Sequence, residues 1–290
     1  MIKKQAFTML ELSVVLIIIA TLMIFVTLGN NLVKVTDLAN ARYLTKTSPV
    51  KDIEGLVTWY ETTLPESLKM EETIDGSKIS TWYDINPNLA AEQKNNLTKI
   101  QNNSTKFVKN GINKLPSIFF QGQSEQRMIL DSFSQGSLSQ RSIFIVTKPF
   151  LASGGSIIAS SNDSDTTESL VYFESSNSIK LRAAPYDTIA VTYSPTNILV
   201  NNDYILNINF NKAKSRIYIN NATEKVGGVD KDPGDNDMHG ISLGSKANNK
   251  TFYKGLISEL IIFNRPLKEI ERKSVMKYLS KKYDIKVANL

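Results

Sequence analysis

The stretch Leu206-Asn207-Ile208-Asn209-Phe210-Asn211 decides the fold class of this chain, because its apolar and amide side chains strictly alternate. Successive side chains of a β-strand point to opposite faces of the sheet, so the pattern predicts a strand with one apolar face and one amide face. Arg216 to Asn220 follows after a short polar connection and is predicted to be the return strand of a hairpin. The surrounding chain should therefore be built from antiparallel strands.

Short apolar runs separated by turn residues continue on the N-terminal side of this hairpin. Many short strands at near-regular spacing are typical of an antiparallel sandwich rather than an α/β fold. No sequence repeat of fixed period is visible. The predicted strands are Gly55 to Tyr60, Ile79 to Asp84, Ser117 to Gln121, Arg127 to Leu130, Ser142 to Lys148, Ser156 to Ser160, Leu170 to Glu174, Ser178 to Ala183 and Ile189 to Tyr193.

The end of the chain, from Phe252 to Ile285, joins a glycine-led apolar run to an Asn-Arg-Pro-Leu turn and then to a helical pattern. Together with Trp59-Tyr60 and Trp82-Tyr83-Asp84 near the start, it resembles bacterial concanavalin A-like, laminin G-like domains. The resemblance implies an all-β jelly-roll sandwich with a short C-terminal helix packed outside it. Lys268 stands where a capping serine or threonine is common, and Asp284 where glycine is usual, so we expect this helix to be capped less well.

The N-terminal part of the chain is of a different kind, since no charged residue lies between Glu11 and Lys34. A helix over this run would be long enough to cross a hydrocarbon layer of roughly 30 Å. Apolar residues spaced by threes and fours from Leu28 to Tyr43 predict that the helix continues as an amphipathic stalk and ends at Ser48-Pro49. The expected fold is therefore α+β: a leader at residues 1–6, a helix at 7–50 that spans the membrane at about 10–32, and the sandwich at 53–290.

A short basic leader followed by Ala6-Phe7-Thr8-Met9-Leu10-Glu11 resembles the type III signal of type IV pilins and pseudopilins. The resemblance implies cleavage by a prepilin peptidase between Ala6 and Phe7 and N-methylation of Phe7. It also implies that Glu11 neutralises the terminal amine of a neighbouring subunit during assembly. Ala6 departs from the glycine that is usual before the cut. For Glu11 the alternative is a capping box with Thr8.

The composition limits where the protein can be located and which cross-links and metal sites it can form. Lys3 and Lys4 precede the apolar run, which predicts a single-pass inner-membrane protein with a cytoplasmic N-terminus and a periplasmic or extracellular C-terminal domain. The 290 residues are enough to bury a core, and the absence of cysteine excludes disulfides and cysteine-ligated metals. A formal net charge of +6 is too mild to name a partner.

Catalytic chemistry is not favoured by the sequence. His239 is the only histidine, so no histidine-based nucleophile relay or two-histidine metal site can form within one chain. Lectin-fold glucanases place acids alternately along one strand, and no predicted strand here has that spacing. Glu72 and Asp75 come closest but lie in a predicted turn. The sequence therefore predicts that the chain is not an enzyme.

Two charged segments are candidate binding sites. Asp230, Asp232, Asp235 and Asp237 offer the hard oxygen ligands that calcium prefers, although Pro233 and Gly234 do not fit an EF-hand, and a solvated turn is the alternative. No other cofactor is expected. The last helix carries a basic face that is either solvated or attracts DNA or anionic lipid; few aromatics are interleaved with it, so nucleic acid is not favoured. This face comprises Lys268, Arg272, Lys273, Lys277, Lys281 and Lys282.

Three functions follow from these features. The first is a pilin-like subunit, a minor pilin or pseudopilin of a type IV pilus or type II secretion-type machine, that displays a lectin-like domain. The alternative is a membrane-anchored adhesin for glycans or proteins, and the third is a cell-surface glycoside hydrolase. An adhesin needs a groove lined by exposed aromatics and amides, for which Tyr172, Tyr186, Tyr193 and Tyr253 are candidates. The expected partners are a prepilin peptidase, other pilin subunits, the inner membrane and a glycan or surface-protein ligand.

Overall fold

A computed structural model of the chain describes residues 9–100, 105–123, 126–151, 153–162, 168–175, 177–185, 190–248 and 250–290. For residues 24–35 it describes the helical backbone but not the side chains. The chain divides into two compact units, and the boundary between them falls between Asn40 and Ala41. The strands all belong to the second unit, Ala41–Leu290.

Two α-helices lie at opposite ends of the described chain, α1 at Met9–Lys46 and α2 at Glu269–Tyr283. A short 3-10 turn at Pro49–Asp52 leads from α1 to the first strand. The strands are β1 (Leu56–Glu61), β2 (Thr81–Trp82), β3 (Leu97–Lys99), β4 (Lys106–Val108), β5 (Ser117–Gln121), β6 (Met128–Leu130), β7 (Arg141–Pro149), β8 (Gly155–Ala159), β9 (Leu170–Ser175), β10 (Ser178–Arg182), β11 (Val191–Tyr193), β12 (Tyr204–Phe210), β13 (Arg216–Ile219), β14 (Ile241–Leu243) and β15 (Lys254–Phe263).

The strands form two antiparallel sheets. The first has seven strands in the order β13-β12-β7-β15-β5-β4, with β1 paired to the second half of β15. The second has eight strands in the order β11-β10-β9-β8-β14-β6-β3-β2. The longest strand, β15, pairs with β7 along one edge and with β5 and then β1 along the other, so it organises the first sheet.

Two apolar layers hold the sandwich together, and the period of two along each strand assigns side chains to one layer or the other. Ile143 and Ile145 of β7 lie between the two sheets, in a layer shared with Leu206 and Ile208 of β12. The alternate residues Phe144 and Val146 face outward and pack in a second layer under α2. That layer includes Val275, Met276 and Leu279 of α2 and Phe263 of β15.

Most of the predicted strands are confirmed to within two residues at each end, and β12 pairs with β13 in the expected hairpin. The strands β3, β4 and β14 were not predicted. Each is only three residues long, which is too short to show an alternating pattern. The antiparallel sandwich, predicted from the spacing of short strands, and the short C-terminal helix outside it, implied by the C-terminal resemblance, are therefore both found.

The predicted transmembrane stalk is wrong. In the part of the chain that the structure describes, no helix is both long enough and apolar enough to cross a bilayer. The fold class is corrected accordingly to a β-sandwich with an N-terminal and a C-terminal helix in the sequence. The predicted single-pass inner-membrane location and the predicted pilin and membrane class are not supported and are corrected as well.

The two unusual residues at the ends of α2, Lys268 and Asp284, each affect how the helix is capped. Lys268 supplies no side-chain cap; instead the Glu271 carboxylate accepts a 2.8 Å hydrogen bond from the Lys268 backbone N–H. Arg265 holds that carboxylate with two further bonds of 2.9 and 2.6 Å. At the other end Asp284 adopts the left-handed conformation, with φ 48° and ψ 40°, in which glycine is usually found. The weaker cap therefore lies at the C-terminal end.

Candidate functional site

The residues of the predicted N-terminal signal are only partly described. Ala6 and Phe7, the predicted cleavage and methylation residues, lie outside the described residues, as does Thr8. Glu11 lies in the first turn of α1. Cleavage, methylation and the assembly role of Glu11 stay predictions.

The four aspartates of the candidate calcium loop do not converge. Asp230 forms ion pairs with Lys225 at 2.8 Å and Arg216 at 3.1 Å, whereas Asp237 accepts a 2.6 Å hydrogen bond from Ser137. Asp232 accepts one from the Gly234 backbone at 3.0 Å, and Asp235 is exposed. Among the described residues no group of three or more acidic or histidine side chains could hold a metal ion. Calcium binding stays a prediction, and His239 lies exposed.

The tyrosines proposed as groove residues are mostly structural. Tyr193 and Tyr253 are fully buried, and burial raises the pKa of both phenols well above the ordinary value. Tyr253 stacks on Phe173 at 5.9 Å inside the sandwich. Tyr172 is half-buried, and Tyr186 lies outside the described residues. Of these four, only Tyr172 is available at a described surface.

A pair of buried carboxylates is the first feature that the sequence did not reveal. The ammonium of Lys282 lies 2.8 Å from both Glu61 of β1 and Glu259 of β15, and all three side chains are sealed from solvent. Burial alone would raise the pKa of Glu61, but the charge of Lys282 and hydrogen bonds from Lys282, Ser67 and Thr63 outweigh it and hold that pKa low. No substrate can reach these acids. They anchor α2 to the sheet and are not a cleft of the kind a glycosidase needs.

A further buried acid, Glu168, lies just before β9 of the second sheet. Glu168 is inaccessible and ion-paired with both Arg182 and Lys246. With Tyr172 and Lys180 these residues line a cavity of about 170 Å³. It is too small for more than a fragment of a typical ligand.

The outer face of the first sheet carries a groove that we call the aromatic groove. Its floor is one row of cross-strand neighbours: Phe119 of β5 lies opposite Leu256 of β15, which lies opposite Lys148 of β7. Side chains directly opposite in antiparallel strands point to the same face, so this row continues the face that Phe144 and Val146 present to α2. The groove has a volume of about 410 Å³. It is lined by Val108, Asn110, Gly111, Phe119, Lys148, Phe150, Asn201 and Leu256.

Aromatic and polar groups lie side by side in the aromatic groove. The rings of Phe119 and Phe150 are both half-buried, with centroids 5.7 Å apart and planes tilted by 50°. Lys148 forms a 3.1 Å ion pair with Asp203, and each side chain remains about one fifth exposed. Asn110 and Asn201 are exposed at the rim. A ligand here would meet apolar ring surface and, next to it, the ammonium of Lys148 and two amides.

Local sequence explains why these aromatics are available. In β5 the adjacent residues Phe119 and Phe120 point to opposite faces, so Phe120 is fully buried in the sandwich while Phe119 stays half-exposed outside. Phe150 immediately follows β7 and is fixed by a 2.9 Å hydrogen bond from its backbone N–H to Lys254. The Phe-Phe doublet was a usable signal, because a strand cannot bury both rings in one layer. The partner Phe150 carried no such signal.

Comparisons with known proteins place the fold. No protein-family model matches the sequence, and no curated protein matches it significantly. A mutant of Trypanosoma rangeli sialidase that displays trans-sialidase activity superposes with a TM-score of 0.51 at 11% identity, over 86% of this chain and 38% of that one. The same sialidase in complex with a difluorinated sugar acid gives 0.50 at 10% identity, over 82% and 34%. This chain thus matches about a third of the sialidase length.

A smaller neighbour is domain 4 of a GH43 extracellular arabinanase from Geobacillus stearothermophilus, solved with arabinotriose. It is 16% identical over 76% of this chain and 97% of that domain, but its TM-score of 0.45 is too low to support an inference. At these identities the likeness shows a shared β-sandwich fold and nothing finer. None of these neighbours supports the predicted pilin function.

The sialidase likeness corrects the prediction that the chain is not an enzyme. That prediction rested on His239 being the only histidine and on the lack of alternating acids on one strand. The alternating acids are a feature of a single class of lectin-fold glucanase. The same fold occurs within sialidase chains. The fold therefore does not justify ruling out glycosidase activity, and the exclusion was wrong.

Proposed function

We propose that the sandwich unit binds glycans in the aromatic groove. The observation that carries this proposal is the half-exposed ring pair Phe119 and Phe150 beside the ion pair of Lys148 and Asp203. Sugar rings have an apolar face of C–H groups and a rim of hydroxyls. The first packs on aromatic rings, and the second exchanges hydrogen bonds with charged and amide side chains.

The size and position of the aromatic groove support the same proposal. A volume of about 410 Å³ lies within the usual range of roughly 300 to 1,000 Å³ for small-ligand sites. The floor of the groove is built on β5, β7 and β15, so Phe119, Lys148 and Leu256 are held in place before a ligand arrives. The shared fold agrees with a sugar ligand, since the sialidases that have it are named for acting on a sugar acid.

The first experiment is a glycan array probed with the labelled full-length protein, with and without a calcium chelator. We expect binding to a defined set of glycans. The chelator arm tests the calcium prediction separately. Absence of binding to any glycan in both arms would overturn the proposal, and release of reducing sugar from a bound glycan would make the site an enzyme site.

The second experiment assigns the binding to the aromatic groove. Phe150→Ala removes a stacking surface and should weaken binding roughly tenfold, while Lys148→Met removes a hydrogen-bond donor at similar length and should weaken it severalfold. Ile270→Ala is the matched control, because Ile270 is a large apolar residue of α2 that is 74% exposed. Isothermal titration calorimetry gives the affinities, and near-UV circular dichroism shows that each variant is folded. Equal affinity of all three variants would place the glycan elsewhere.

A further inference from the structure

A larger cavity lies away from the aromatic groove, where the last turn of α1 meets the start of the sandwich. It belongs entirely to the unit Ala41–Leu290 and has a volume of about 440 Å³. We call it the lysine-rimmed cavity. It is lined by Thr45 and Lys46 of α1, Lys51 of the 3-10 turn, Trp59 of β1, and Leu64, Glu66, Asp84, Ile85, Pro87 and Lys94 from the following loops.

The floor of the lysine-rimmed cavity presents mainly apolar surface to a ligand. Trp59 and Leu64 are almost fully buried, and the indole N–H of Trp59 is already donated to Glu259 at 2.7 Å. Burial raises the pKa of Asp84, but backbone N–H groups of Trp59, Asn86 and Asn95 occupy its oxygens at 2.9 to 3.1 Å. The polar atoms of the floor therefore point into the protein. A ligand would meet the hydrocarbon of Leu64, Ile85 and Pro87.

The rim of the lysine-rimmed cavity is cationic. Lys46, Lys51 and Lys94 face Glu66 and the buried Asp84, which leaves an excess of positive charge. In the part of the chain that the structure describes, none of the three lysines is within 4.0 Å of a carboxylate, unlike the lysines of the sheets and of α2 that form ion pairs. Lys46 and Lys51 are exposed, and Lys94 is held in place by donating to the backbone carbonyl of Asn86.

We propose that the lysine-rimmed cavity binds an anionic saccharide, with its acidic group against Lys46, Lys51 and Lys94 and the C–H face of its ring on Leu64, Ile85 and Pro87. Charge complementarity requires an anion, and the apolar floor requires a ligand that also has an apolar face. The volume accommodates a small ligand of one or a few rings. The acidic group is a carboxylate or a sulfate, since either one pairs with clustered lysines. This site is separate from the aromatic groove.

The test uses the full-length protein and three short oligosaccharides of equal length: an oligogalacturonate, a sulfated galactan fragment and a neutral galactan fragment. We expect calorimetry to show binding of one or both acidic oligomers, weakening as ionic strength rises, and no measurable binding of the neutral one at this site. Comparison of the two acidic oligomers distinguishes carboxylate from sulfate. Equal binding of all three oligomers would overturn the proposal.

Variants assign the acidic ligand to the lysines. Lys46→Gln and Lys51→Gln should each weaken binding roughly three- to fivefold, and the double variant should weaken it further. Lys277→Gln is the matched control, because Lys277 is an exposed lysine on α2 outside the cavity. Unchanged affinity of the double variant, or an equal loss with Lys277→Gln, would contradict the assignment.

The same titrations separate this site from the glycan site proposed above. The double variant of Lys46→Gln and Lys51→Gln should lose the salt-dependent binding of the acidic oligomer and keep the binding of glycans in the aromatic groove, since neither lysine lines that groove. Failure of the aromatic groove to bind glycans would therefore not affect the first of these results. An acidic peptide that displaces the oligosaccharide with higher affinity would show that the occupant is not a sugar, which would also overturn the proposal.

Discussion

Asp284 shows how one residue departs from its expected conformation. It ends α2 in the left-handed region at φ 48°, and its side chain is exposed. The left-handed conformation costs roughly 1 to 2 kcal/mol for most L-residues and less for aspartate, and a negative charge at a helix C-terminus opposes the helix dipole. The sequence identified this position because glycine is the usual residue after such a helix.

We predict that Asp284→Gly raises the free energy of unfolding by about 1 kcal/mol, because it relieves the backbone conformation and removes the unfavourable charge. Asp284→Asn is the control, since it removes the charge and keeps the side-chain shape. Urea denaturation followed by circular dichroism gives both values. A stability no higher than that of the Asn variant would mean that the backbone conformation costs nothing at this position.

Lys282 is a residue for which the sequence pattern was misleading. The sequence pattern places it on the basic face of the last helix, together with Arg272. In the structure both are buried: Arg272 lies 4.2 Å above the ring of Tyr218, and Lys282 lies between two carboxylates. Glu61, one of those carboxylates, is 221 positions away in the sequence. No local pattern predicts such a pair, because it exists only once β1 and β15 are neighbours.

At the scale of elements, Lys282 is the ionic link between α2 and the first sheet. Tyr278 and Tyr283 of the same helix donate 2.8 and 2.9 Å hydrogen bonds to Glu259, which completes the link. Removing one partner of a buried ion pair leaves an uncompensated charge, which typically costs about 3 to 5 kcal/mol. We therefore predict that Lys282→Met destabilises the protein by about that amount at neutral pH, whereas Lys281→Met, at an exposed neighbour, has little effect. Urea denaturation measures both.

The same link predicts a pH dependence. The pKa of Glu61 is lowered in the folded protein, so its contribution to stability is present above the ordinary value of 4.5 and is lost as the pH falls through the folded pKa. In Lys282→Met the carboxylate of Glu61 lacks its cation, so protonation of Glu61 removes an unpaired buried charge. The stability difference between wild type and Lys282→Met should therefore shrink on going from about pH 7 to about pH 3. A difference independent of pH would indicate that the loss is one of packing.

Strands were predictable and their partners were not. Strict alternation located β12, and short apolar runs bounded by turn residues located β5, β7 and β9. The amide face of β12 gave no hint that it would be buried: Asn207 and Asn209 are almost inaccessible and satisfy one another at 3.1 Å, with Ser142 bonded to Asn209 at 2.5 Å. The aromatic groove was missed for a related reason, since its row of neighbours comes from three strands distant in sequence.

For the molecule as a whole, the compact unit that holds the sandwich begins at Ala41. Ala41, Thr45 and Val50 are each 1% exposed or less, and Arg42 donates a 2.7 Å hydrogen bond to the carbonyl of Thr63. We predict that the free energy of unfolding of residues 41–290 is several kcal/mol higher than that of residues 53–290, because the shorter chain loses this buried apolar surface. The longer fragment should therefore unfold at a higher urea concentration. Identical midpoints for the two fragments would show that residues 41–52 do not contribute to the sandwich.

Strand β15 gives the protein a constraint during its synthesis. Trp59 of β1 is hydrogen bonded to Glu259 of β15, and 200 positions separate the two residues. At roughly 5 to 20 residues per second, a ribosome needs about 10 to 40 seconds to make the intervening chain. Throughout that time β1 has no partner, and β5 and β7 each lack the neighbour that joins them. The first sheet can therefore close only after β15 has been made, and a nascent chain arrested before β15 emerges would expose unpaired apolar edges to chaperones and to other nascent chains.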